Sequence, residues 1–227
     1  MFLLIDKPKG MTSHDVIDRV RRITGIRKVG HAGTLDPNAT GLLIVAVGRD
    51  STKKLGTLTT QTTKEYLSEV VLGETRDTDD SEGVVVNSFT TTLPTRSELP
   101  RTLNSFAGKQ KQMPPAYSAI KLQGKKAYEI ARSGGVPELK MRDIEVHLIE
   151  LVDYHSPQFT LRTIVSAGTY IRSLARDIGE RLETGAYLAN IRRMAIGPYR
   201  IENATPLEGI TPENWESLSV ELLELDG

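Results

Sequence analysis

The chain has 227 residues, 38% of them hydrophobic and 26% charged, with 29 basic residues balancing 29 acidic ones. This is the composition of a globular protein large enough to bury about 70% of its unfolded surface without a metal or disulfide staple. The absence of cysteine excludes a disulfide framework, Cys-based zinc sites, a thiol nucleophile and iron–sulfur clusters. No apolar run reaches transmembrane length, and the short one before Asp6 is no signal-peptide core.

The charge is unevenly spread. Residues 1–60 carry ten Lys/Arg against five Asp/Glu, whereas residues 201–227 carry seven acids and no Lys or Arg. A basic front part is therefore hidden in a neutral total. It suits a polyanionic partner, and equally a solvated helix face.

In chain order, LLID at 3–6 predicts a short strand and KPKG at 7–10 a turn. Thr12 and Asp15 have capping-box spacing ahead of an apolar stripe of Val16, Ile17, Val20 and Ile23. That predicts a helix, ended by Gly25. GHAGTLDPNATG at 30–41 reads as a glycine-rich turn, and LLIVAV at 42–47, apolar on both faces, as a central strand. Lys64 to Leu72 alternates as a strand, with Tyr66, Ser68, Val70 and Leu72 on one face. The acidic turn at 73–83 resembles a calcium loop, but Gly83 comes one place late and the closing glutamate is missing, which excludes calcium binding. VVVNSF at 84–89 returns as a hairpin strand.

Thr95 and Glu98 repeat the capping-box spacing before Leu99, Leu103 and Phe106, predicting a helix that ends near Gly108. Pro114 and Pro115 force extended backbone, so residues 113–121 read as a loop or an irregular strand, followed by a short helix from Tyr128 to Arg132. The lysine-rich segment 109–135, with its two tyrosines, is either a solvated surface or a clamp for a phosphate backbone. Ile144–Leu151 and Gln158–Val165 alternate as strands. Gly168 then turns the chain into a helix with Ile171, Leu174, Ala175, Ile178 and Leu182 inward, and Arg172 and Arg176 share a face. Residues 190–199 read as strand or turn, and Pro212 as the start of a short helix. Hairpins interspersed with helices predict an α+β fold around a mixed, mostly antiparallel sheet.

No phosphate-loop, dinucleotide, zinc-protease or nucleophile-elbow motif is present, and histidines 14, 31, 147 and 155 are too dispersed for a metal site. Asp36 remains. Asp-Pro begins many ordinary turns, but a loop fixed to a buried strand is also a rigid mount for a reacting carboxylate. Gly30 and Gly33 imply either tight backbone or close approach of a partner.

Five blocks in order, spanning nearly the whole chain, resemble the TruB family of tRNA pseudouridine synthases. They are DKPKGMTSHDV at 6–16, GHAGTLDPNATG at 30–41, KEYLSEVVLGETRDTDDSEG at 64–83, QMPPAYSAIKLQGKKAYEIAR at 112–132 and AGTYIRSLARDIGERLETGAYLANIRRMAIG at 167–197. The resemblance implies a cytoplasmic enzyme that isomerises uridine 55 in the T-loop of tRNA, with no cofactor, no metal and no obligate protein partner. It implies the pseudouridine synthase fold over residues 1–200, followed by an acidic tail, 201–227, too short and too negative for the RNA-binding PUA domain that many members carry.

The resemblance also assigns roles. Asp36 is the nucleophile, Tyr66 stacks on the base, Arg172 pairs with Asp36, and His31 helps to open the RNA loop. Lys7, Lys9, Lys121, Tyr170, Ile191, Arg192 and Arg193 are RNA contacts. From the residues alone, Tyr66 could equally be a core-facing aromatic, Arg172 a partner of a helical acid such as Asp177, and His31 a satisfied turn histidine. The chain departs from the family pattern at Ala167 and Thr184, where cysteines are common, at Tyr187, where histidine is usual, and at Ile191, where leucine is usual. The chemistry exchanges a C1′–N1 bond for a C1′–C5 bond without redox change. A carboxylate attacks uracil C6 or ribose C1′, and a separate base, for which Tyr66 is the candidate, removes the C5 proton.

Overall fold

The apolar run at 42–47 becomes the strand on which half the chain is built. The computed structural model describes residues 1–122 and 124–222; residues 223–227 of the acidic tail lie outside the described residues. The chain opens with β1 (Phe2–Lys7) and α1 (Ser13–Thr24). Thr12 and Asp15 close a full capping box on α1, and Gly25, at φ 69°, ends it in left-handed backbone. β2 (Val29–Ala32) and β3 (Thr40–Val47) flank the loop that carries Asp36, so His31 lies in a strand where a turn was expected. Two short helices, α2 (Arg49–Lys53) and α3 (Leu55–Thr60), lead to β4 (Lys64–Leu72).

β5 (Glu74–Arg76) and β6 (Val85–Ser88) form their own two-stranded hairpin across the acidic turn. α4 (Leu99–Asn104) leads into β7 (Gly108–Gln112), and a small hairpin of β8 (Lys121–Leu122) and β9 (Lys125–Lys126) precedes α5 (Ala127–Arg132). The long β10 (Arg142–His155) pairs with β11 (Gln158–Val165). After α6 (Ile171–Arg181) come β12 (Ala186–Ile196), β13 (Tyr199–Arg200) and β14 (Thr205–Pro206). The fold class is α+β, a mixed and mostly antiparallel sheet flanked by helices. No helix among the described residues is long and apolar enough to cross a membrane.

The chain divides into two compact units. The first comprises residues 1–66 and those from 191 onward, with strand order β14-β1-β3-β12. Both faces of β1 and β3 are covered, which is why their sequences are apolar throughout. Leu3, Ile5, Leu43, Val45 and Val47 pack with Val16, Ile17 and Val20 of α1, and Phe2, Leu4, Leu42, Ile44 and Ala46 pack with Leu58 of α3. One edge of β3 is shared: β12 runs parallel to it at Thr40–Gly41, and β2 antiparallel at Ile44–Val47. The second unit, residues 67–190, has strand order β4-β11-β10-β7, with β10 antiparallel to both neighbours.

The boundary expected at residue 200 is not a boundary. β14 runs parallel to β1, Val220 exchanges two backbone hydrogen bonds with Phe2, and Trp215 is buried in the same cluster as Ile17 and Val45. Pro212 opens a run of turns rather than a helix. Replacing Trp215 with alanine should therefore cost about 3–5 kcal/mol of unfolding free energy, measurable by urea denaturation. A detachable tail would show almost no change.

Candidate active site

In the first unit, the loop from Gly33 to Ala39 presents Asp36, which is exposed, and is tied down on either side of it. Ser13 Oγ, buried in the first turn of α1, donates to the Leu35 carbonyl at 3.0 Å and accepts from the Leu35 amide at 2.9 Å. The Pro37 carbonyl accepts from the Gly10 amide at 2.9 Å and from Lys7 Nζ at 3.2 Å. Lys7 also donates to the carbonyls of Pro8 (2.8 Å) and Met11 (2.6 Å). Lys7 was expected among the RNA contacts. It is instead fully buried with its three protons committed to carbonyls, so it holds the Asp36 loop from within.

Arg193 meets the same correction, being only 1% exposed. Its Nε donates to Leu42 O at 2.7 Å and its Nη2 to Gly33 O at 3.0 Å. Leu42 lies between the stretches of β3 paired by β12 and by β2, so the guanidinium supplies donors where no strand does. The glycines of the motif serve this packing. A Cβ at Gly41, where φ is 101°, would stand 2.3 Å from the Arg193 carbonyl oxygen, and one at Gly30 would stand 2.9 Å from Leu55 Cδ1. Lys64 is a third buried cation, donating to the carbonyls of Thr59 and Thr62 at 2.7 Å each. Burial lowers the pKa of Lys7 to about 8 against the pull of Asp36, and that of Lys64 to about 8, helped by Arg193.

His31 is half-buried in β2, and its Nδ1 is buried with no hydrogen-bond partner among the described residues. Burial, with Arg193 and His14 nearby, pushes its pKa below the ordinary imidazole value, so the ring is neutral near pH 7. On β4 the inward row Lys64, Tyr66, Ser68, Val70, Leu72 is buried except at Tyr66, which is half-buried. Lys9 is exposed, Ile191 half-exposed, and Arg192 makes a two-pronged pair with Asp6 at 3.0 and 2.7 Å.

In the second unit, Arg172 is 8% exposed. It donates from Nη1 to Thr78 O and from Nη2 to Tyr117 O, both at 3.0 Å, and meets Asp80 Oδ2 at 3.3 Å. Asp177, the helical acid considered for it, pairs with Arg176 at 2.8 Å. Tyr170 precedes α6 and exchanges hydrogen bonds between its backbone and the Gln112 side chain. Lys121 is exposed on β8. Tyr187 has its own use, since the Arg76 guanidinium lies over its ring at 4.3 Å. Thr184 is fully buried and donates to Gly185 O at 3.1 Å. Among the described residues no three His, Asp or Glu side chains converge as a metal site would.

A family model described as TruB family pseudouridylate synthase (N terminal domain) matches residues 21–171. The chain belongs to this TruB family. A tRNA pseudouridine synthase B from Syntrophobacter fumaroxidans is 44% identical over 91% of the chain and 67% of its own length. The protein of the same description from Opitutus terrae is 41% identical over 92% of the chain and 86% of its own. Among solved structures, the Cbf5-Nop10-Gar1 complex contains a chain similar at TM-score 0.73 and 28% identity. The archaeal box H/ACA sRNP Nop10-Cbf5 complex contains one at 0.68 and 27%. The two matches cover 97% and 95% of this chain but just over half, 56% and 54%, of those structures' chains. Membership places this chain among the pseudouridylate synthases.

Sequence reasoning missed Lys64 as a support residue and Asp79, Asp80 and Arg176 as partners around Arg172. Signals were present: a lysine on the inward face of a strand, and an acidic turn matched by two arginines four apart. Because the folded-state pKa of Lys64 lies below its unfolded value of 10.5, the unfolded chain binds more protons between about pH 8 and 10.5, and stability from this group rises with pH there. The stability of wild type minus that of Lys64→Met, measured by urea unfolding, should increase between pH 8 and 10. A constant difference would contradict the burial of a charged lysine.

Proposed function

We propose that the protein converts uridine 55 in the T-loop of tRNA to pseudouridine, with Asp36 as nucleophile. The observation that carries this is an exposed carboxylate on a loop held immobile on both sides of it by buried donors, in a chain of the TruB family. Fixing a nucleophile in place before substrate arrives removes an entropic part of the barrier. Asp36 attacks the extruded nucleotide at uracil C6 or ribose C1′. On either route the C1′–N1 bond breaks, the ring turns, C1′–C5 forms, C5 loses its proton and N1 gains one. The atoms of product and substrate are the same, so no external group enters.

Tyr66 is the accessible member of an otherwise buried row, with a ring face for the flipped base and a hydroxyl for the C5 proton. A phenol is a weak base near neutral pH, so that transfer depends on the surroundings the bound RNA creates. A neutral His31 can enter a base stack without a charge to desolvate. For Arg172 we propose a part in the reaction, as the resemblance implies. Lys9 and Lys121, both exposed, supply phosphate contacts.

Asp36→Ala should fold, bind unmodified tRNA within about twofold of wild type, and form no pseudouridine; product formed by this variant at the wild-type rate would sink the mechanism. Tyr66→Phe should keep the affinity and slow product formation by about 100-fold or more.

A further inference from the structure

One turn along α6 from Arg172 stands Arg176, whose contacts interlock with those of its neighbour. Arg176 donates from Nη1 to Asp79 Oδ2 at 2.8 Å, from Nη2 to Met113 O at 2.9 Å and from Nε to Asp177 Oδ1 at 3.0 Å. Arg172 takes the residues on either side of Asp79, the Thr78 carbonyl and the Asp80 carboxylate. Three consecutive residues are thus divided between two arginines four apart on one helix. The same two arginines also reach a second segment, through Met113 O and Tyr117 O, and the Tyr117 hydroxyl meets Asp77 Oδ2 at 3.4 Å.

This division requires the chain to turn at Asp79, which has φ 61°, a left-handed conformation unfavourable for a residue with a side chain. Backbone bonds between Asp79, Ser81 and Leu188 fix its ends. The Asp79 and Arg176 side chains are 13% and 26% exposed, too enclosed to grip a large substrate directly.

We propose that the Arg176–Asp79 pair is a positioning device: it holds residue 79 in its left-handed turn and so fixes the Thr78 carbonyl and Asp80 carboxylate that orient Arg172. The proposal rests on the reading of Arg172 as part of the reaction. Arg176, Arg172 and Asp177 face Asp79 from α6, and Asp77 and Asp80 flank it in its own loop. Burial raises its pKa to about 6 despite the pull of both arginines. Below that pH it becomes neutral, and Arg176 loses the charge it holds.

The test compares wild type with Asp79→Asn, Arg176→Ala, Arg176→Lys and the double variant Asp79→Asn/Arg176→Ala. Single-turnover pseudouridine formation, tRNA affinity and amide exchange of residues 77–83 and 113–117 are measured from pH 5 to 8. The expected result is a rate reduced by about 10- to 100-fold in Asp79→Asn and Arg176→Ala at pH 7.5, with affinity within about twofold. The double variant should lose no more than either single one, and Arg176→Lys should recover most of the rate. Wild type should also slow on acidification through about pH 6, a step that Asp79→Asn lacks. Wild-type rates in the single variants, or losses that add in the double, would overturn the proposal. Should wild type itself make no pseudouridine, the functional reading falls, and exchange decides the pair: unchanged protection of 77–83 in Asp79→Asn overturns it, faster exchange upholds it.

Discussion

The hydrogen bonds from buried Arg193 to the carbonyls of Leu42 and Gly33 hold together the unit that carries Asp36. At that point β3 passes from pairing with β12 to pairing with β2, and on that edge its backbone has no strand to bond to. A guanidinium, with five donors in a rigid fork, satisfies two carbonyls of different segments at once, which an ammonium could not do in the same geometry. The glycines at 33 and 41 let the arginine and its backbone come close. Lys7 and Lys64 repeat the strategy with their own carbonyls. Burying three cations opposes folding, and the carbonyls offset part of that cost. In return, the Asp36 loop is tied down on both sides by the folded chain itself.

The second unit uses arginines differently. Arg172 and Arg176 organise two irregular segments, the turn at 77–80 and residues 113–117. Two acids of the 77–80 turn serve these side chains: Asp79 pairs with Arg176 and Asp80 with Arg172. Loops built in this way can be irregular enough to fit a folded RNA and still be fixed in place.

Regular elements were legible in the sequence where a single periodic signal ran unopposed. The capping box at Thr12 and Asp15, the Gly25 stop, the alternation of 64–72 and the stripe of α6 all became the structures they predict. β2 was not legible, because Gly30 and Gly33 read as turn residues and their true role depends on Leu55 and on Arg193, 160 residues further along. β7 was hidden by its alternating lysines and glutamines, which suit an edge strand facing water. The tail misled through composition. Its acids among the described residues are on the surface, while Trp215, Ile210 and Leu207 go to the core.

At the candidate site, the residues proposed for the chemistry stood out early, and their supports did not. Asp36 was singled out by its glycine-rich loop, and Tyr66 only through the family resemblance. Lys7 and Arg193 were taken for surface cations because a lysine or arginine near a basic cluster gives no sign in one dimension that it is buried. The family membership and the clamped Asp36 loop together make a specific claim about one nucleotide. The most direct measurement incubates purified protein with unmodified tRNA and maps pseudouridine by position. The account predicts product at uridine 55 of the T-loop and nowhere else in the tRNA; no product, or product only at other positions, would contradict it.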